Sequence, residues 1–513
     1  MHDLGKTQSD YAVYLPAISS FYTKQLQKCL DNPDEWRTIE GFEKGLAGLD
    51  FLKDDSYFHY PYGLYSAGHA HLDIEKSNAN EKMIQDRDQS KTMILGDSGG
   101  FQIATGVLKM DWANAKDPND PARLALCKKI LEWEEHTADW AMTLDIPGFA
   151  AAPPYKERTG LESFQDTVDI SVLNLHYFLQ NRNPEKCKFL NVLSGSDEYS
   201  SDVWYEAVKN FSDPAFVKEA YGDENKALEG YAFAGINMRN MKCVLKRILK
   251  LREDGLLKDK GWIHFLGTGR LQWACHLTSI QRMLRKHDSP EINLSMDAAS
   301  PFVNSAYGST YTHNSFHPKK FSYLMDRAID NQELKGSDMP MPFAHSPIMS
   351  RLTAGDICAM AEGDLDKNGK AKGPDSTSWD TQSYLYYMGH SVYNHITAVQ
   401  EANRLADVEK YRTNVHYSDF IKDKTSGKSN EFSPYVPAKA LYFDSFCQEV
   451  LDPKLSIDEA YDLIEKNIKL LDELSFGAKT NAGFGAFFEE EEFDMDDDIG
   501  AKTHDIMSGD FEA

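Results

Sequence analysis

"MILGDSGGFQ", residues 93–102, joins an apolar run to an acid and a pair of glycines. Met93, Ile94 and Leu95 have the character of a buried strand end, and Asp97 stands where the backbone leaves it. Ser98, Gly99 and Gly100 follow, small enough for a ligand to come up against bare backbone. Whether this is a capped turn or the floor of a site depends on what recurs elsewhere.

The same unit recurs between residues 90 and 300. Short apolar runs ending in Asp, Ser or Gly stand at 92–95 (TMIL), 140–144 (WAMTL), 189–193 (FLNVL), 231–235 (YAFAG), 262–267 (WIHFLG) and 292–296 (INLSM). Segments of helical period separate them, among them ARLALCKKILEWEEHTAD, entered through Asp120-Pro121 as cap and first-turn proline. Strands joined by helical crossovers imply a parallel sheet. With YGLYSAG (62–68) in front and KFSYLM (320–325) behind, the count reaches eight, and the expected fold is α/β, a (β/α)8 TIM barrel. A doubly wound open sheet is the alternative, and the lack of a Gly-rich dinucleotide fingerprint after any strand counts against it. The expected division is an N-terminal extension at 1–60 packing on the barrel, the barrel at 61–345, a C-terminal helical region at 346–478, and an acidic disordered tail at 479–513.

The 513 residues carry 55 Lys and Arg against 80 Asp and Glu, a formal net charge of −25. This argues against broad, non-specific adhesion to nucleic acid. The charge is uneven, however: from Glu489 to Ala513 eleven acids face one lysine, Lys502. Such a tail solubilises the chain or docks a protein partner through Phe493 and Phe511. The seven cysteines, at 29, 127, 187, 243, 275, 358 and 447, lie outside metal-ligand spacing of one another. A reducing compartment and no Cys-based zinc are therefore expected. No apolar run is long enough to cross a bilayer, and the opening MHDLGKTQSD lacks the basic and apolar regions of a secretory signal. A cytoplasmic protein with no membrane partner is the expectation.

In a parallel barrel the chemistry lies at the C-terminal strand ends. Taken in order these ends read Asp97-Ser98-Gly99-Gly100, Asp145-Ile146-Pro147, Ser194-Gly195-Ser196-Asp197, Gly235-Ile236-Asn237, Gly267-Thr268-Gly269 and Asp297-Ala298-Ala299-Ser300-Pro301. Three carboxylates, Asp97, Asp145 and Asp297, thus meet on one rim among residues small enough to admit a flat ligand. One such Asp is usually a helix cap; three interleaved with glycines point to catalysis. Paired carboxylates can divide into nucleophile and proton donor, the arrangement for breaking a bond at an anomeric carbon.

DSGGFQ, TLDIP, the Gly after YAFA, FLGTG and LSMDAASP together closely resemble the tRNA-guanine transglycosylase superfamily from about residue 90 to about 310. The resemblance implies replacement of a guanine in nucleic acid by a 7-deazaguanine. Position by position, it implies Asp297 as the nucleophile at C1′ and Asp97 as general acid/base. It implies Asp145 as the carboxylate pairing with the base's N1–H and amine, with Ser98 beside it, and Gly235 as the backbone donor to O6. Phe101 and Leu266 would sandwich the ring, with Gly99, Gly100, Gly195 and Gly267 completing the slot. This sequence departs from the pattern in three ways. The Cys-x-Cys-x-x-Cys zinc cluster is missing, Ser194 stands where a base-reading Gln is usual, and INMRN after Gly235 lacks the Glu that binds an aminomethyl cation.

His390 and His395 in GHSVYNHI suit packing or a hydrogen bond rather than a metal. Loss of the zinc region, SMDAASP and the YNH helix are closer to the DpdA-type 7-deazaguanine DNA transglycosylases of phages and bacterial modification clusters. DNA is accordingly favoured over tRNA as partner, with free 7-deazaguanine as second substrate, no cofactor, and a host-cytoplasmic setting if phage-encoded. The target guanosine would have to leave the stack. Arg282, Arg285 and Lys286, or Lys319 and Lys320, are candidates for backbone contacts. A tRNA-acting enzyme and a non-catalytic nucleic-acid-binding partner subunit are the alternatives.

Overall fold

Residues that alternate in and out of a sheet every second position place one set of side chains inside a closed sheet and the other against its helices. The computed structural model, which describes residues 2–317, 320–343, 345–366, 369–413 and 437–475, sorts them in this way. Eight strands run parallel: β1 (Val13–Pro16), β2 (Tyr62–Ser66), β3 (Met93–Asp97), β4 (Trp140–Met142), β5 (Lys188–Leu193), β6 (Gly230–Phe233), β7 (Trp262–Phe265) and β8 (Asn293–Ala298). Each pairs with its neighbour in the chain, and β8 pairs back onto β1 through Met296–Tyr14 and Asp297–Leu15. Between β1 and β2 the sheet is joined by a single parallel bridge, Ala17–Leu64, and by the Ile18 N–H donating to Leu64 O at 2.9 Å. The result is a nearly closed, barrel-like sheet ringed by helices.

Val13, Leu15, Leu64, Leu95, Trp140, Met142, Leu190, Val192, Ala232 and Trp262 fill the interior as one apolar cluster. The intervening residues, such as Tyr14, Ile94, Phe189, Phe233 and Met296, belong to the larger core shared with the helices. The crossover helices, which include α4 (Glu198–Val208) and α5 (Met241–Glu253), start as their caps dictate, and α7 (Ser300–Ala306) follows the last barrel strand. Asp120 accepts the Arg123 N–H at 2.8 Å ahead of α2 (Pro121–Thr137), where α1 is Ser20–Asp31. Ser163 and Asp166 form a reciprocal capping box at α3 (Phe164–Asn181), and each such cap contributes about 1 kcal/mol.

The eighth strand is not the one expected. KFSYLM falls in β10 (Lys320–Arg327), which pairs antiparallel with β9 (Ser309–His317) as a separate two-stranded sheet. A parallel return needs a crossover of a dozen residues or more, and only two residues separate β9 from β10, so a hairpin is the sole outcome. VYLP at 13–16 takes the vacant place in the barrel. Residues 1–60 are therefore more than an extension packed on its outside.

After the hairpin, α8 (Thr381–Thr413) lies along the barrel, Gln400 Nε2 donating to Leu4 O at 2.8 Å. The helices α9 (Ala438–Val450), α10 (Ile457–Lys466) and α11 (Ile468–Leu474) follow. The acidic tail at 479–513 lies outside the described residues. No helix among the described residues is long and apolar enough to cross a membrane.

Candidate active site

Asp97 is the last residue of β3, and its backbone carbonyl accepts the Ala67 N–H at 2.8 Å, tying it to the end of β2. Its Oδ1 receives the Gly99 N–H at 3.3 Å. Burial holds its carboxyl above the usual carboxylate range, and the Asp297 charge adds to this. The Ser66 hydroxyl, the Gly99 N–H and His264 pull the other way. Asp145, just beyond β4, is pushed up to about 7 by burial and by the charge of Asp97. A hydrogen bond from its own backbone N–H pulls weakly the other way. Of the three carboxylates predicted to share a rim, Asp97 is close enough to Asp297 to feel its charge and close enough to Asp145 to act on it.

Gly100 explains how two of them come so near. A Cβ placed there would stand 2.4 Å from Asp145 O and 3.2 Å from its Oδ1, so only glycine lets the turn after β3 lie against the end of β4. Gly235 is constrained twice over: its φ is +59°, and a Cβ would stand 2.1 Å from Gly195 O. That same carbonyl accepts the Ile236 N–H at 2.8 Å, which locks the ends of β5 and β6 together. Among the described residues the Gly235 N–H has no acceptor, which leaves it available to a ligand. Ser194 is buried beside it, and Ser98 is buried behind Asp97. Phe101 is half-buried, its ring 5.6 Å from that of Phe149, and Leu266 packs at the edge of the interior cluster.

Asp297 is held by one oxygen only. Its Oδ1 accepts the Gly267 N–H at 2.7 Å and lies 3.2 Å from His264 Nε2. Its Oδ2 makes no hydrogen bond among the described residues, and the residue as a whole is 9% exposed. The two oxygens of this carboxylate are therefore held unequally, Oδ1 by two partners and Oδ2 by none among the described residues.

His264, Ser295 and Trp262 were not singled out from the sequence. They occupy inward positions of β7 and β8, and His264 and Ser295 are direct register partners. The available signal was alternation: in INLSMD, Ser295 shares a face with Asp297, and in WIHF, His264 shares a face with Trp262. Three further cations also escaped notice past the C-terminal ends of β4, β6 and β7: Arg158 in the short helix Lys156–Thr159, Arg239 just after the turn Gly235–Met238, and Arg270 as the cap of the helix Leu271–His287. Arg158 donates to Ala104 O at 2.6 Å and lies 5.8 Å from the centre of the Tyr155 ring.

The expected backbone contacts need correction. Arg282 and Arg285 lie in α6 (Leu271–His287), which leaves the rim at Leu271 and descends the barrel wall, so both sit toward the opposite end from Asp297. Arg282 is committed to Asp10 (2.7 and 2.8 Å) and Asp407 (2.8 and 3.0 Å). Arg285 donates to Ile292 O at 2.8 Å and Asn293 Oδ1 at 2.7 Å, bracing the start of β8. Lys286, in the last turn of α6, shares that end. Lys320 opens β10, opposite His317, and Lys319 lies outside the described residues.

His395 behaves as expected of a packed histidine. It donates or accepts at Tyr311 Oη (3.1 Å) and Tyr323 Oη (2.8 Å) and stacks on Tyr14 at 4.2 Å. Burial pushes it down to about 3. His390 bonds Ser346 Oγ at 2.8 Å and Tyr311 O at 2.9 Å. Tyr323 Oη also donates to Gly269 O at 2.9 Å, so the hairpin and α8 wall one side of the rim. Among the described residues no three His, Cys, Asp or Glu side chains gather as metal ligands. No protein-family model matches the chain, and no curated protein matches it.

Proposed function

We propose that the chain is a base-exchange transglycosylase on a (β/α)8 TIM barrel, replacing guanine in DNA with a 7-deazaguanine through an ester on Asp297. The observation that carries the reading is the asymmetric clamp on Asp297: Oδ1 is taken by Gly267 and His264, and Oδ2 has no partner among the described residues. Attack by Oδ2 on C1′ makes a C–O bond as the C1′–N9 electron pair leaves with guanine. Asp97, whose protonated form is favoured by burial and by the Asp297 charge, is the group assigned to give a proton to the departing base. The incoming base then returns a proton to Asp97 as its N9 attacks C1′ and Asp297 departs as carboxylate. Bonds and charges balance without an oxidant or reductant.

Asp145 supports the choice of a purine with adjacent donors. Guanine's N1–H and amine donating to it would hold it ionised, and that charge favours a proton on Asp97. Phe101 and Leu266 suit the two faces of a planar ring, and the Gly235 N–H suits its carbonyl. For the phosphates we assign Arg158, Arg239 and Arg270 by position alone, since they lie past the C-terminal strand ends with Asp297, whereas Arg282 and Arg285 lie toward the other end of the barrel.

The test offers labelled guanine and 7-deazaguanine to the protein with DNA and tRNA in parallel. Incorporation into DNA is expected, Asp297→Asn abolishing both exchange and the covalent adduct. Incorporation only into tRNA would move the reading to the tRNA-acting alternative. Undiminished exchange by Asp297→Asn would remove the nucleophile assignment, and no exchange on either polymer would remove the reading.

A further inference from the structure

The geometry points to His264 as a positioning residue that fixes the attacking carboxylate, the last link of a buried relay running Trp262–Ser295–His264–Asp297. Trp262 Nε1 donates to Ser295 Oγ at 2.6 Å, Ser295 Oγ lies 2.8 Å from His264 Nδ1, and His264 Nε2 lies 3.2 Å from Asp297 Oδ1. The hydrogen positions follow from the donor inventory. An indole N–H can only donate, so Ser295 accepts from Trp262 and has its own hydrogen to give. An ionised carboxylate can only accept, so the imidazole hydrogen must sit on Nε2. Nδ1 is then the acceptor that Ser295 needs. One neutral tautomer satisfies every group, and His264 and Ser295 are both fully buried, so an unmet donor here would carry a full desolvation cost.

Two consequences separate this relay from mere packing. Both imidazole nitrogens are committed and the ring is out of reach of solvent, so His264 cannot itself exchange protons with a substrate. It acts through Asp297. With Oδ1 pinned by His264 and Gly267, Oδ2 is the atom presented to C1′. In the second half of the exchange the C1′–Oδ2 electron pair returns to the carboxylate, and part of that charge arrives on Oδ1, where both N–H groups wait for it. The relay therefore assists release of the ester more than its formation. This inference rests on Asp297 being the nucleophile.

The experiment has two arms. In the first, the adduct between the protein and a guanine-containing oligonucleotide is captured by denaturation and its discharge by added 7-deazaguanine is timed. His264→Phe should slow discharge by about tenfold to a hundredfold, the scale of a hydrogen bond to a charged group. Turnover should fall in step and the KM for the incoming base should stay unchanged. His264→Gln, which restores a donor toward Oδ1, should recover most of the rate. Ser295→Ala, a milder change if the Phe variant folds poorly, should slow discharge less than His264→Phe. Discharge at the wild-type rate in a folded His264→Phe or Ser295→Ala variant, or no recovery with Gln, overturns the proposal. The second arm needs no substrate: nitrogen-15 spectra of histidine-labelled protein, with His264 identified by its loss in His264→Gln, should show a neutral ring protonated on Nε2. Protonation on Nδ1 overturns the relay. Absence of any exchange by the wild type would overturn the transglycosylase reading alone, leaving the tautomer to be read independently.

Discussion

Replacing Asp145 with Asn isolates what it costs to gather three carboxylates on one rim. Burial and the neighbouring Asp97 charge raise Asp145 from its ordinary 3.8 to about 7. A carboxyl raised by folding binds its proton more tightly in the native state than in the unfolded chain, so native stability falls as pH rises between the two pKa values. Below about pH 4 both states are protonated and the residue is neutral to stability. Between about 4 and 7 the unfolded chain ionises alone, and native stability falls by about 1.4 kcal/mol per pH unit before levelling off. The whole span is about 4 kcal/mol, and partial access of solvent to the side chain screens this to about 2–4 kcal/mol.

Asparagine keeps the shape with no charge to bury. The variant should match the wild type near pH 4, gain on it through the acid range, and keep a constant lead above neutrality. Unfolding entropy for a chain of this size converts the lead to about 2–4 °C in Tm. Calorimetry at matched ionic strength across that range reads it directly. A difference that does not change with pH, or an Asn variant less stable than the wild type above neutrality, would refute the reasoning.

Gly235→Ala places a methyl 2.1 Å from Gly195 O at a φ of +59°, so it should cost about 2–4 kcal/mol and lower Tm by a few degrees. A thermal melt equal to wild type would mean that the β5–β6 junction gives way easily. Arg282→Ala should weaken the tie between Asp10 and Asp407 by about 1 kcal/mol while leaving the salt dependence of the proposed DNA binding untouched. Arg270→Ala should reduce the salt slope by about one, measured by titration at several salt concentrations. The reverse pattern would return the strand contacts to α6.

Much of this arrangement is readable along the chain because its causes are local. Apolar runs of strand length, broken by Asp, Ser and Gly and separated by capped helical segments, leave few folds besides a parallel sheet. The acids after LG, TL and SM land at strand C-termini by the same logic, and a glycine that must admit a backbone carbonyl is visible as a glycine. What was misread is what depends on distant partners. VYLP is four residues long and ends in proline, and nothing local ranks it above KFSYLM as a barrel strand. Only the register of Asp297 on Leu15 and the bridge from Ala17 to Leu64 make the choice. Arg282 reads along the chain as a solvated cation on a helix. Its ion pairs with Asp10 and Asp407, 272 and 125 residues away, exist only once the barrel has brought the amino terminus and α8 to the same wall. His264 is one more polar residue in an apolar run until β7 pairs with β8 and sets it between Ser295 and Asp297. The amino-acid sequence by itself determined the strands, the rim and the three acids, since these follow from side-chain period and backbone sterics within a few residues. Which segment closes the sheet, which cations are tied up at the far end of the barrel, and which oxygen of Asp297 accepts from Gly267 and His264 were decided only by tertiary structure, because each is a pairing between groups that chain order does not bring together.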